Sequence, residues 1–113
     1  MYGDDATRLR HMLDATREAL GFVSGRGRSD LDGNHMLALA LIRELEIIGE
    51  AGGHTSCECR AQNPQIPWAS IVAMRNWLIH AYYTVNLNLV WSTVVNDLPV
   101  LLAELEKIVS KSD

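Results

Sequence analysis

The stretch Arg75-Asn76-Trp77-Leu78-Ile79-His80-Ala81-Tyr82-Tyr83 breaks an otherwise apolar segment with an arginine, an imidazole and two phenols. Burying such groups on an apolar face is costly unless they are paired or line a cleft. The residue types alone leave two readings open. In one, His80 is a packing histidine and Arg75 sits in a salt bridge. In the other, the two form a reactive pair. An imidazole titrates near neutral pH and can take or relay a proton. A guanidinium is always charged, and its fork fits phosphate oxygens. Such a pair suits metal-free phosphate-ester chemistry. The chain offers no cluster of carboxylates for a two-metal mechanism.

On a straight helix, Arg75 and His80 point about 140° apart. The reach of the arginine, a bend near His80, or a site shared between two chains would each reconcile them, and a shared site is the expectation. Arg75 and Tyr82 are seven residues apart and lie almost on one face.

Other polar residues give weaker signals. Glu50 could hold Arg75 or His80, or face water near a helix end. His11, His35 and His54 have no obvious partners and read as surface or packing residues. Arg26, Arg28 and Arg60 are either nucleic-acid contacts or solvated loop charges. Trp77 and Trp91 read as core or interface residues more than stacking platforms. Cys57 and Cys59 are too few for a structural zinc site and too close for an unstrained disulfide, so they read as reduced loop cysteines.

These residues must be held by helices. Leu9, Met12, Leu13, Leu20 and Val23 recur on one helical face, with Thr16 in the gap and Asp4 or Asp5 available as a cap. SGRGRSD at 24–30 is a turn by composition. A second helix starts near Asp30 to Asn34 and ends at Gly52-Gly53. Its stripe of Leu37, Leu41, Leu45 and Ile48, widened by Ala38, Leu39 and Ile42, predicts more than one partner helix. Gly49 within it predicts a close helix approach. Residues 53–66 read as a loop. Pro67 fits the first position of a third helix running to about Val85. The last segment is helical on both sides of Pro99, with a kink expected near Asn96 to Leu98. The prediction is an all-α antiparallel bundle of four to five helices, a single domain over residues 1–113.

With 113 residues and a formal charge of −4, the chain has the length of one domain and is too apolar to be disordered. The acidic balance argues against broad, sequence-blind coating of nucleic acid. No apolar run approaches a membrane span, and the charged N-terminus lacks a signal-peptide core, so a cytoplasmic protein is expected. Three tryptophans and several spare leucines exceed the needs of one small core, which predicts a homodimer.

Arg75 to Tyr82 fits the pattern R-x4-H-x-Y. With E-I-I-G-E-A-G-G (46–53), I-P-W (66–68), M-R-N-W-L-I-H-A-Y (74–82), V-W (90–91) and D-L-P (97–99), it makes the chain resemble the HepT-like toxins of the HEPN-domain ribonucleases. The ordered set spans nearly the whole chain and is strongest from residue 36 to 105. The resemblance implies a helical bundle that dimerises, with Arg75 and His80 catalytic at a cleft on the dimer axis and Asn76 supporting them. It implies metal-independent cleavage of RNA, with no cofactor. It also implies a toxin–antitoxin module whose partner, a minimal nucleotidyltransferase antitoxin, transfers AMP to Tyr82. The family register selects Tyr82, and Tyr83, three residues after His80, can orient the histidine. The glycine- and arginine-rich turn at 21–34 departs from a typical family turn. A catalytically silent subunit that binds a nucleotidyltransferase or nucleic acid, and a purely structural helical dimer, are the alternatives.

The chemistry suits these residues. RNA carries its own nucleophile, the 2′-OH. His80 would handle its proton and Arg75 the phosphate charge. The products would be a 2′,3′-cyclic phosphate and a 5′-hydroxyl.

Overall fold

Helical periodicity runs through the chain, and the computed structural model, which describes residues 3–81 and 85–112, has no strand among them. The elements are α1 (Gly3–Val23), α2 (Asp30–Gly33), α3 (His35–His54), α4 (Cys57–Gln62), α5 (Trp68–His80), α6 (Leu87–Ser92), a π-turn (Thr93–Asp97) and α7 (Leu98–Ser112). Four of these, α2, α4, α6 and the π-turn, are single-turn or two-turn pieces, so four long helical segments build the bundle, as the periodicity predicts.

The apolar stripes close one core. α1 contributes Leu9, Met12, Leu13 and Val23, α3 contributes Leu37, Leu41, Leu45 and Ile48, and α7 contributes Leu98, Leu101, Leu105 and Ile108. Burying each such side chain stabilises the fold by roughly 1.5–3 kcal/mol. Thr16 is fully buried, its hydroxyl donating to the Met12 carbonyl at 2.7 Å, so it fills the apolar rhythm with no orphaned polar atom. α3 is central and packs against α1 on one side and α5 on the other. Gly52 of α3 lies beside Met12 and Ile71; with Gly49 beside Arg75 and Ser56, just past α3, bonded to Asp5, this makes α1 and α5 antiparallel neighbours of α3.

The helix ends differ from the sequence expectation in five places. Asp4 and Asp5 lie inside the first turn of α1 rather than capping it. Asp5 is buried and accepts the Ser56 backbone N–H at 2.9 Å and its hydroxyl at 2.7 Å. Those bonds hold its carboxyl below the usual carboxylate range. α3 does not stop at Gly52-Gly53 but continues to His54, because Arg60 caps it. The guanidinium donates to the carbonyls of Gly52 (2.9 Å), Gly53 (2.7 Å) and Thr55 (3.2 Å). The expected loop at 53–66 therefore contains α4, N-capped by the Ser56 hydroxyl, which accepts from Cys59 N–H at 3.1 Å.

The remaining differences concern prolines and the end of α5. The Pro67 carbonyl accepts the first bond of α5, from Ile71 N–H at 3.0 Å, so Pro67 is the cap and not the first helical residue. α5 ends at His80 rather than near Val85. The break before Pro99 takes the form of a π-turn: the Leu98 N–H reaches back five residues to the Thr93 carbonyl. Pro99 has no N–H to offer Val95 in an α-helical register, and the wider turn spreads that mismatch over 93–97. Asn34 caps α3, accepting from Leu37 N–H at 3.0 Å. Both cysteines are free, Cys57 exposed and Cys59 buried, and burial pushes the Cys59 thiol up.

Candidate active site

α5 crosses α3 where α3 has no side chain. A Cβ on Gly49 would overlap the Cβ of Arg75 and lie 2.9 Å from both Arg75 Cγ and the Ile71 carbonyl oxygen. The sequence marks Gly49 as a point of close approach. The structure shows that the approaching residue is Arg75. Its backbone is thereby pressed against α3, while its guanidinium must travel outward to reach solvent.

It does so toward Asn76. Arg75 Nη1 donates to Asn76 Oδ1 at 3.1 Å. One turn later, His80 Nδ1 lies 2.7 Å from the carbonyl oxygen of the same Asn76. A carbonyl only accepts, so Nδ1 carries the proton in this contact and the neutral ring presents Nε2 as its basic nitrogen. Asn76 thus joins the pair: its side chain turns the arginine, and its backbone fixes the histidine tautomer. The two side chains contact different atoms of Asn76, and among the described residues no hydrogen bond joins Arg75 to His80 directly. His80 and Asn76 are exposed, and Arg75 is half-buried. Neither a core histidine nor a salt-bridged arginine describes what is observed.

Tyr82 and Tyr83 lie outside the described residues. Glu50 faces solvent and makes no hydrogen bond to Arg75 or His80. His11, His35 and His54 are exposed. Arg60 is spent on the cap of α3, and Arg28 bonds Asn88 at 2.6 Å and Asp32 at 3.1 Å. Among the described residues, no three His, Cys, Asp or Glu side chains gather as a metal site.

α5 is apolar on every side, yet only Trp68 and Leu78 are buried. Trp77 and Ile79 are 36% and 38% exposed, and on the neighbouring end of α3 Met36 and Leu39 are 81% and 51% exposed. A cavity of about 470 Å³ separates α5 from α7. Leu45, Ile48, Met74 and Leu101 line it, with Asp97 and Glu104 also in its wall. Arg75, Asn76 and His80 do not line it. An all-round apolar helix ordinarily lies buried, so α5 has surface to spare.

Sequence reasoning names Arg75, His80 and Asn76 as candidates but not the two contacts of Asn76, one of which depends on its own carbonyl. It also missed Glu44, although its spacing, three after Leu41 and four before Ile48, puts it on the core side of α3. Glu44 is 5% exposed and its Oε2 has no hydrogen-bond partner. Burial, aided by the Glu18 carboxyl beside it, pushes its pKa up to about 7.

The family model "Ribonuclease HepT-like" matches residues 12–108. The chain is 34% identical over 103 residues to "Putative RNase TTE0752" of Caldanaerobacter subterraneus subsp. tengcongensis, covering 91% of this chain and 92% of that one. It is 34% identical over 98 residues to "Putative RNase MJ1380" of Methanocaldococcus jannaschii, covering 87% and 90%. Against "Probable ribonuclease HepT" of Thermococcus cleftensis it is 44% identical over 69 residues, covering 61% and 63%. No solved structure matches. No described helix is long and apolar enough to cross a membrane.

Proposed function

This chain belongs to the HepT-like ribonuclease family, and from that premise we propose that it is a metal-independent endoribonuclease whose reactive pair is Arg75 and His80. The observation that carries the reading is the Asn76 bridge, which holds both side chains at an exposed helix end. His80 Nε2 takes the proton of a 2′-OH. The 2′-oxygen attacks the adjacent phosphorus, and the bond to the 5′-oxygen breaks. Arg75 offsets the charge that builds on the phosphate oxygens. A proton donor must serve the leaving 5′-oxygen, and in a homodimer the second copy's His80, in its charged form, would supply it. The unspent apolar surface of α5, Trp77 and Ile79 above all, supports dimerisation along that helix.

The module partner is a minimal nucleotidyltransferase antitoxin, and the modified residue is Tyr82. Its phenol oxygen would attack the α-phosphorus of a nucleoside triphosphate, with pyrophosphate leaving. The added phosphate would compete with RNA for Arg75. Tyr82→Phe should keep ribonuclease activity and lose neutralisation by the transferase. Retained neutralisation refutes that assignment.

The activity is tested by incubating the protein with RNA and matched DNA in EDTA, alongside His80→Ala. RNA cleavage that falls by about 10²-fold or more in the variant, with DNA untouched, is expected. Equal cleavage by the two proteins overturns the proposal. His80 is exposed, so the variant should keep its melting temperature.

A further inference from the structure

The cations of this acidic chain are unequally free. Arg17 pairs with Glu106, Arg28 with Asp32, Arg43 with Glu46 and Lys107 with Glu104. Arg60 is consumed by carbonyls. Arg26 is exposed, and its guanidinium has no hydrogen-bond or ion-pair partner among the described residues.

The turn that presents Arg26 is built. Gly25 takes φ +74°, a conformation side chains disfavour. The Arg26 N–H bonds to the Val23 carbonyl at 3.0 Å. The Gly27 N–H bonds to Asp30 Oδ2 at 2.7 Å, so that carboxylate is already engaged. Arg28 then ties the turn to Asn88 of α6 at 2.6 Å.

The turn also lies at the correct end of the molecule. α1 and α3 are antiparallel, as are α3 and α5: Gly49 meets Arg75, and Gly52 meets both Ile71 and Met12. The end of α1, the start of α3 and the end of α5 therefore share one end of the bundle. Extending the Gly49–Arg75 register places His80 level with residue 44 of α3. From there to the start of α3 is about 14 Å at 1.5 Å per residue. Along the bundle axis, then, the turn lies about 14 Å beyond the reactive pair.

We propose that Arg26 is a second phosphate contact for RNA, holding the strand beyond the cleaved bond. This rests on the ribonuclease reading. It is a positioning contact, not a catalytic one, and it gives a chain of charge −4 a local cationic track.

The test uses Arg26→Ala and Arg26→Lys. Binding is read by fluorescence anisotropy with a 2′-O-methyl oligoribonucleotide, which lacks the nucleophile and stays intact. Cleavage is read on a long RNA and on a dinucleotide. Arg26→Ala should weaken oligonucleotide binding about three- to ten-fold and lower the salt slope by about one. KM for long RNA should rise with kcat unchanged, and dinucleotide cleavage should not change. Arg26→Lys should recover most of the binding. Unchanged binding and salt slope in Arg26→Ala overturn the proposal and leave the ribonuclease reading standing. Loss of dinucleotide cleavage also overturns it, because the effect would then lie at the reactive pair. Failure of the wild type to cleave RNA removes the reading beneath it.

Discussion

α3 has two seams of opposite character. Toward the core shared with α1 and α7 it contributes Leu37, Leu41 and Ile48, all buried, and that seam is closed by large side chains. Toward α5 it presents Gly49 and Gly52, and the helix it receives leaves Trp77 and Ile79 partly exposed. The first seam holds the chain folded. The second brings a backbone close, so that Arg75 is anchored at its root while Asn76 and His80 remain in solvent. Stability and the proposed chemistry are thus assigned to different faces of one helix.

The largest test of that division sets a substitution in each seam against the other. Leu41→Ala should cost about 2–5 kcal/mol of stability, read as denaturant midpoint, with activity per folded molecule kept. Gly49→Ala should cost less, about 1–3 kcal/mol, because the added methyl meets Arg75 and the Ile71 backbone. Its activity per folded molecule should nonetheless fall about ten-fold or more, since Arg75 must shift. Equal activity loss per folded molecule in the two variants would break the comparison.

The legibility of the sequence follows the same division. The closed seam was readable because apolar residues recur at helical spacing, as in Leu9, Met12 and Leu13. The proposed reactive residues were readable as types, since Arg75 and His80 interrupt an apolar run. Their joining was not, because it runs through the Asn76 main chain, which every residue possesses. The ends of α3 and α5 were misjudged for a related reason. Gly52-Gly53 looks like a stop in isolation, but Arg60, eight residues beyond Gly52, supplies the cap. Glycine there serves packing against Ile71 and Val72. Pro99 announced a break, but its absorption by a π-turn at 93–97 depends on which carbonyl finds a donor.

The smallest effect separates the seams by pH. Glu44 lies in the closed region, its Oε2 unpartnered, with its pKa raised to about 7 against an ordinary 4.5. A carboxyl raised on folding favours the protonated native state. Its contribution is whole below the unfolded value, declines as pH rises from about 4.5 to 7, and is gone above. The span corresponds to about 3–4 kcal/mol at most. Glu44→Gln keeps the shape and removes the charge, so it should raise the melting temperature by several degrees at pH 8 and leave it nearly unchanged at pH 4. Activity per folded molecule should track the wild type at both, because Glu44 faces Glu18 on α1 and the reactive pair lies on α5. A Glu44→Gln protein no more stable than wild type at pH 8 would show that water or a rearranged α1 already accommodates the charge, and that the closed seam is looser than its apolar residues suggest.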